Sequence, residues 1–292
     1  MNSIAGQGRQ QGRGDYHGWP THRLENEHVW LEVLATAGPR IVRLGLSGSA
    51  DNVLAETPEV GWQTALGRYE LFGGHRLWFA PEDPDHGAVP DSDGLILSVI
   101  ENGVELDGPA EPATGMTRSI SVRLDPTSSA VELSHRVSNM GEQTLELAPW
   151  SITQLPAGGL VCLPQPAAVG EHIVRPNRLI VLWPYSSWED PRLELRDGRF
   201  LVHADPGPHL KVGTFIAAGM VSYSRGPIRL TCRFEPIAGR VHPDMGCNVE
   251  VYLGERFVEV EILGPLVDLA PGSTITLDER WELARDVEAA AA

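Results

Sequence analysis

Apolar residues recur at every second position through most of this chain, in short runs broken by Gly, Pro, Asn and Asp. Val29-Trp-Leu-Glu-Val-Leu34, Ser119-Ile-Ser-Val-Arg-Leu124, Asn248-Val-Glu-Val-Tyr-Leu253 and Phe257-Val-Glu-Val-Glu-Ile-Leu263 all alternate in this way. Two is the repeat of a β-strand, whose successive side chains point to opposite faces. No stretch of ten or more residues has the apolar spacing of an amphipathic helix. Strands with no helical crossovers between them must pair antiparallel. So many half-apolar strands bury their inner faces by stacking sheet on sheet. The pattern therefore predicts an all-β sandwich of large antiparallel sheets.

The turn chemistry agrees. Thr36-Ala-Gly-Pro39 separates the first clear strand from Arg40-Ile-Val-Arg-Leu-Gly-Leu46, and Asp125-Pro-Thr-Ser-Ser129 separates two clean alternations. Glu101-Asn-Gly103 has the residues of a tight hairpin turn. The 31 glycines and 23 prolines suit many short strands joined by turns. No break in composition divides residues 22–285, so the 292-residue chain is expected to form one domain. Residues 1–18 are rich in Gly, Gln and Arg and offer little to bury, which predicts a disordered tail over residues 1–21. Residues 286–292, ending in four alanines, read as a frayed terminus.

The 23 basic and 39 acidic residues give a formal charge of −16. Such a surface repels polyanions, and no Lys/Arg-rich run offers a local footprint, so neither nucleic acid nor membrane is an expected partner. No stretch approaches the ~20 apolar residues of a spanning helix. The first residues lack the apolar centre of a secretory signal. Cys162, Cys232 and Cys247 are scattered without a paired spacing, which fits reduced, buried thiols in a cytoplasmic protein. The ten histidines form no HxH, HxxxH or HExxH, and no nucleotide or nucleophile motif is present. Neither a metal nor a cofactor is expected.

Four segments concentrate polar chemistry. Gly73-Gly-His-Arg-Leu-Trp78 places His75, Arg76 and Trp78 after two glycines that permit an unusual bend. A proton-transfer group, a forked donor and a flat plate together suit a sugar, which presents hydroxyl edges and C–H faces. Ala148-Pro-Trp-Ser-Ile-Thr-Gln154 carries Trp150, Thr153 and Gln154 near a Pro/Gly loop. Residues 240–252 hold His242, Asp244, Asn248, Glu250 and Tyr252, the last three on one face of a strand backed by Val249 and Val251. Glu259 and Glu261 share a face of a strand otherwise made of Phe, Val, Ile and Leu. A carboxylate among apolar neighbours has its charged form disfavoured, which moves it toward general-base work. Each segment also reads as ordinary strand, with its polar face in solvent.

In their order along the chain these segments resemble the galactose mutarotase-like superfamily, the aldose 1-epimerases and their relatives. The resemblance covers residues 25–284. It rests on Ala37-Gly-Pro-Arg-Ile-Val, Asn52-Val-Leu and Gly73-Gly-His-Arg-Leu-Trp-Phe-Ala-Pro-Glu82. Its most specific part is Glu259-Val-Glu-Ile-Leu-Gly-Pro with Leu269-Ala-Pro-Gly-Ser-Thr and Glu279-Arg-Trp281. It implies an antiparallel β-supersandwich with a concave sugar-binding face. It also implies that Glu261 takes the proton from an anomeric hydroxyl, that Glu250-Val-Tyr252 contacts substrate, and that His75 and Arg76 lie in an early His/Arg region. One departure stands out. Where the family carries a mid-chain histidine as general acid, this chain reads Ala148-Pro-Trp-Ser-Ile-Thr-Gln154. Either His75 or His242 serves as the acid, or the chain is not a mutarotase.

The expected function is a sugar or sugar-metabolite isomerase using Glu261 with His75 or His242. Arg76, Trp78, Trp150, Thr153, Gln154, Asp244, Asn248, Glu250, Tyr252 and Glu259 are expected to hold the substrate. The ligand is expected to be a small carbohydrate or glycosylated metabolite. The alternatives are a non-catalytic carbohydrate-binding or sensing protein and a tailoring enzyme that uses the same cleft.

Overall fold

A computed structural model of the protein describes residues 11–82, 88–168, 170 and 174–285. Among these residues the strands form an eleven-stranded sheet, a ten-stranded sheet and a separate two-stranded hairpin, and the paired strands run antiparallel. Among the described residues the helical content is one four-residue turn, Pro243–Gly246, in which Asp244 and Met245 take left-handed φ of 49° and 64°. Among the described residues no helix is long and apolar enough to cross a membrane. The all-β expectation is met because the period-two segments pair as predicted. Val29–Leu34 joins Arg40–Leu46, Ile96–Ile100 joins Gly103–Asp107 through Asn102 at φ 61°, and Met116–Leu124 joins Ala130–Asn139.

The inner faces of the two large sheets meet in one core. Leu31, Leu44, Leu77, Val251, Val260 and Ile262 from the first pack with Val122, Leu133, Val161, Leu230 and Trp281 from the second. Each such side chain removed from water contributes about 1.5–3 kcal/mol, which drives the stacking. A second apolar cluster lies on the far face of the eleven-stranded sheet: Tyr69, Leu71, Trp78, Trp150, Ile152 and Leu263. That face carries the cleft described below.

Gly73 and Gly74 make the bend anticipated from sequence. They adopt φ 90° and 69°, and a Cβ on Gly74 would lie 2.0 Å from the Ile41 carbonyl oxygen. The chain thereby leaves the small hairpin of Glu56–Thr64 and Gly67–Gly73 and enters the large sheet as His75–Ala80. A side chain at either glycine would push the backbones apart.

The expected tail is corrected in part. Gln11–Tyr16 and Trp19–Glu25 form an ordered hairpin at the edge of the eleven-stranded sheet. Tyr16 is fully buried with Leu34, Ala37, Val42 and Phe72, and its hydroxyl donates to the Phe72 carbonyl. Trp19 meets the Phe72 ring edge-on, and His17 contacts Glu56 at 2.7 Å. Two aromatic residues amid the glycines, Tyr16 and Trp19, pack the hairpin onto the sheet beside its strand pairing with Val29–Leu34, a signal that average composition conceals. The remainder of the expected tail, residues 1–10, and the expected frayed end, residues 286–292, lie outside the described residues.

Candidate functional site

Strand parity builds the site. In the eleven-stranded sheet His75–Ala80, Leu145–Pro156, Phe257–Leu263, Val249–Leu253 and Leu210–Thr214 lie side by side. Arg76 pairs with Ile152, Ile152 with Glu261 and Glu261 with Glu250, so these four form one row across four strands. Their alternates, among them Leu77, Val251, Val260 and Ile262, enter the inter-sheet core. The outward set frames a cleft of about 660 Å³ walled by Arg76, Trp78, Trp150, Trp183, Tyr185, His209, Lys211, Tyr252, Glu259 and Glu261. The small hairpin adds Val60 and Trp62 at the mouth.

At the floor, the Lys211 ammonium touches two carboxylates, Glu250 Oε2 at 2.7 Å and Glu261 Oε2 at 2.9 Å. The same Glu261 oxygen accepts the Trp150 indole N–H at 2.8 Å. Lys211 also lies over the Trp150 and Trp183 rings, 4.9 and 4.7 Å from their centroids. Both carboxylates are 1% exposed, but Glu261 lines the cleft while Glu250 lies beneath Lys211 and does not. Burial pushes the Glu261 carboxyl up, Lys211 pulls it down and Glu259 raises it further. Glu250 is pushed up to about 9, by burial first and then by the Glu261 charge, against the pull of Lys211. Burial alone would lower Lys211, but the two carboxylates overcome it and hold the ammonium above its ordinary value. One cation cannot neutralise two buried anions, so the trio favours one bound proton.

Beside this floor, Arg76 Nη2 donates to Glu259 Oε1 at 2.9 Å and the guanidinium covers the Trp78 ring at 4.9 Å. Trp78 meets Trp150 edge-on at 5.6 Å between centroids. At the rim, His209 Nδ1 and the Tyr252 hydroxyl are hydrogen-bonded, and burial pushes that phenol up to about 12. The cleft thus offers flat plates, a fixed guanidinium and a buried acid–base floor, a combination suited to a polyhydroxylated ring.

The structure brings together Glu261, Glu259, Arg76, Trp78, Trp150 and Tyr252 as expected, with Glu250 just below. His75 is not among them. It sits one position from Arg76 and so faces the opposite side of the sheet, fully buried between the layers. Its Nδ1 is 2.9 Å from Thr153 Oγ1 and its Nε2 is 2.7 Å from His135 Nε2. His135 Nδ1 donates to the Leu277 carbonyl at 2.8 Å. One of the two facing Nε2 atoms donates to the other, and a neutral His75 leaves a single proton to be shared between its contacts to His135 and Thr153. Burial first, then His135, Arg76 and Arg40, hold His75 well below its ordinary value. It cannot act as acid in the cleft, and Thr153 is equally turned away from the cleft.

His242, Asp244 and Asn248 gather at the short helical turn and do not line the cleft. His242 Nδ1 is 3.2 Å from the Arg240 carbonyl and its ring meets Phe215 edge-on, while Asp244 is exposed. Asn248 is buried and clasps Ile216, accepting from its N–H at 2.7 Å and donating to its carbonyl at 3.2 Å. Gln154 is fully buried and also lies off the cleft. Sequence reasoning missed Lys211, Trp183, Tyr185 and His209. Lys211 alone had a usable signal: a lysine between Leu210 and Val212 in a strand whose alternate face is apolar.

His75, His135 and Glu279 bring three ligand atoms within 4.8 Å, the one grouping of its kind among the described residues. Their atoms are already engaged: Glu279 accepts from the Ser151 hydroxyl and the Trp281 indole, and the two imidazoles bond each other. A metal would have to break these bonds, so the cluster fits a buried hydrogen-bond network better.

No family model matches the chain, and no curated protein sequence matches it. Solved structures do resemble it in fold. A candidate mutarotase from Salmonella typhimurium superposes with a TM-score of 0.59 at 12% identity, over 94% of this chain and 94% of that one. A galactose mutarotase-like protein from Lactobacillus casei gives 0.56 at 11% identity, over 90% of this chain and 100% of that one. A TPR-domain protein from Parabacteroides distasonis gives 0.60 at 14% identity, and here the chain spans only 47% of the other's length. At such identities the likeness establishes the fold, which is that of the galactose mutarotase-like proteins.

Proposed function

We propose that this chain is an acid–base isomerase that interconverts the anomers of a sugar or sugar-like metabolite bound in the cleft. The observation that carries this reading is Glu261, a carboxylate buried at the cleft floor, raised by burial and gripped by Lys211 and Trp150. Opening a hemiacetal requires one group to take the proton of the anomeric hydroxyl and another to protonate the ring oxygen. Glu261 is the acceptor. Lys211 is the donor, since it is the cation of the floor that also lines the cleft, and the proton taken up by Glu261 removes the charge that otherwise holds the ammonium above its ordinary value. As the ring carbon–oxygen bond breaks, the anomeric carbon becomes an aldehyde, rotates and recloses on the other face. Trp78, Trp150 and Trp183 supply the plates for the sugar's C–H faces, and Arg76, fixed by Glu259, binds its hydroxyls. The likeness of the solved mutarotase-like structures supports the reading at the level of fold.

The test is exchange between α and β anomers across a panel of free aldoses, followed by NMR with wild-type and Glu261→Gln protein. Accelerated exchange that is lost in the variant supports the isomerase. A second reading, a carbohydrate-binding protein without turnover, draws on the double ion contact that holds both carboxylates to Lys211. Saturable binding without exchange, unchanged by Glu261→Gln, would favour it.

A further inference from the structure

Glu250 has no place in the reaction so far, although it is among the most deeply buried carboxylates of the protein. It faces Glu261 directly across neighbouring strands and contacts Lys211 from the side away from the cleft. The groups around it can be named from each neighbouring element. Lys211 comes from Leu210–Thr214, Glu261 with Glu259 beyond it from Phe257–Leu263, and Asp244 and the Cys247 thiol from the helical turn and its end. Arg76 acts on Glu261 from the opposite flank. Among the described residues Lys211 is the single cation that touches Glu250, so two carboxylates compete for one positive charge. Glu261 also receives the Trp150 N–H and a hydrogen bond from Lys211, which favour its ionised form, whereas neither Glu250 oxygen has a hydrogen-bond partner among the described residues and its 2.7 Å approach to Lys211 is an ion contact alone. An extra proton therefore belongs on Glu250.

We propose that Glu250 is the proton store of this trio, holding one proton at rest and passing it to Lys211 as Lys211 protonates the ring oxygen of the sugar. The idea rests on the isomerase reading above and supplies what a chain without the mid-chain histidine otherwise lacks. At rest the trio is a Glu261 carboxylate, a Lys211 ammonium and a Glu250 carboxylic acid. The anomeric hydroxyl gives its proton to Glu261, Lys211 gives one to the ring oxygen, and Glu250 restores the ammonium. The opened state then holds a Glu261 acid, a Lys211 ammonium and a Glu250 carboxylate. One proton has entered and one has left, and the net charge of the trio is zero throughout. Ring closure runs the same transfers backwards. Holding the charge constant matters because an unbalanced ion at this depth would be strongly disfavoured. Glu250 is a positioning residue in this scheme, since it acts through Lys211.

Two measurements on the full chain test the proposal. In protein labelled with ¹³C at the glutamate carboxyls, the resonance that vanishes in Glu250→Gln should have the shift of a carboxylic acid at neutral pH and titrate near 9. In anomer exchange, Glu250→Gln should lower kcat about 10²-fold or more with KM unchanged. Gln keeps the shape and neutrality of the protonated side chain, so a purely structural role would leave kcat intact. A carboxylate shift for Glu250 at neutral pH, or a Gln variant with wild-type kcat, overturns the proposal. If no aldose is turned over, the isomerase reading falls, while the resonance still decides where the proton resides.

Discussion

Glu250 and Glu261 stand opposite one another on neighbouring strands, and the single ammonium of Lys211 touches both, at 2.7 and 2.9 Å. The arrangement follows from parity: Val249, Val251 and Val260 enter the core, which forces their glutamate neighbours onto the cleft face. Burial then turns an ordinary surface pairing into a coupled acid–base unit.

Removing the cation should expose the cost of that burial. Lys211→Met leaves the Glu261 carboxylate, facing the Glu250 acid, without its counter-charge and should destabilise the fold by about 3–5 kcal/mol. Without Lys211 both carboxyls titrate higher in the folded than in the unfolded state. Stability should therefore fall as pH rises above the ordinary carboxyl value of 4.5. Denaturant unfolding across pH measures this, and adding Glu250→Gln should recover part of the loss.

Trp150→Phe keeps a plate but removes the indole donor to Glu261. A hydrogen bond to a charged group contributes about 1.5–3 kcal/mol, so Glu261 should titrate higher in the variant. The acidic limb of the exchange profile should move up with it, with substrate affinity nearly unchanged.

The His75–His135 pair predicts acid sensitivity. Folding holds His75 neutral well below its ordinary value of 6.5, while the unfolded chain protonates near that value. As pH falls below 6.5 the unfolded state binds the extra proton. Stability should then drop by about 1.4 kcal/mol per pH unit from this residue. Unfolding measured from neutral to acidic pH should show that slope in the wild type and a shallower one in His75→Gln. Equal slopes would contradict the assignment.

The amino-terminal hairpin should matter to stability. Tyr16 is fully buried, so Tyr16→Ala should cost about 3–5 kcal/mol and lower Tm. A truly dispensable tail would show no change.

Much of this was legible in the sequence. Alternation gave the sheets, Asn102 and Gly103 gave a hairpin turn, and parity alone put Glu259 with Glu261 and Glu250 with Tyr252. The same parity also excludes His75 from any face shared with Trp78, three residues on, and reading that segment by composition obscured it. Lys211, Trp183 and Tyr185 reach the cleft from segments far apart in the chain, and only the tertiary pairing of Leu210–Thr214 with Val249–Leu253 brings the lysine to the two glutamates. Asn248 was right in parity for the cleft but is consumed in bonding Ile216, a competition that no periodic pattern records.

In the proposed reaction the buried Glu261 carboxylate at the floor of this cleft moves a proton of a bound sugar. Anomer exchange by NMR, wild type against Glu261→Gln, tests it most directly. Exchange should be accelerated for at least one free aldose and fall about 10²–10⁴-fold in the variant, with its fold intact. Exchange no faster than in buffer for every aldose, or exchange that survives in Glu261→Gln, would contradict it.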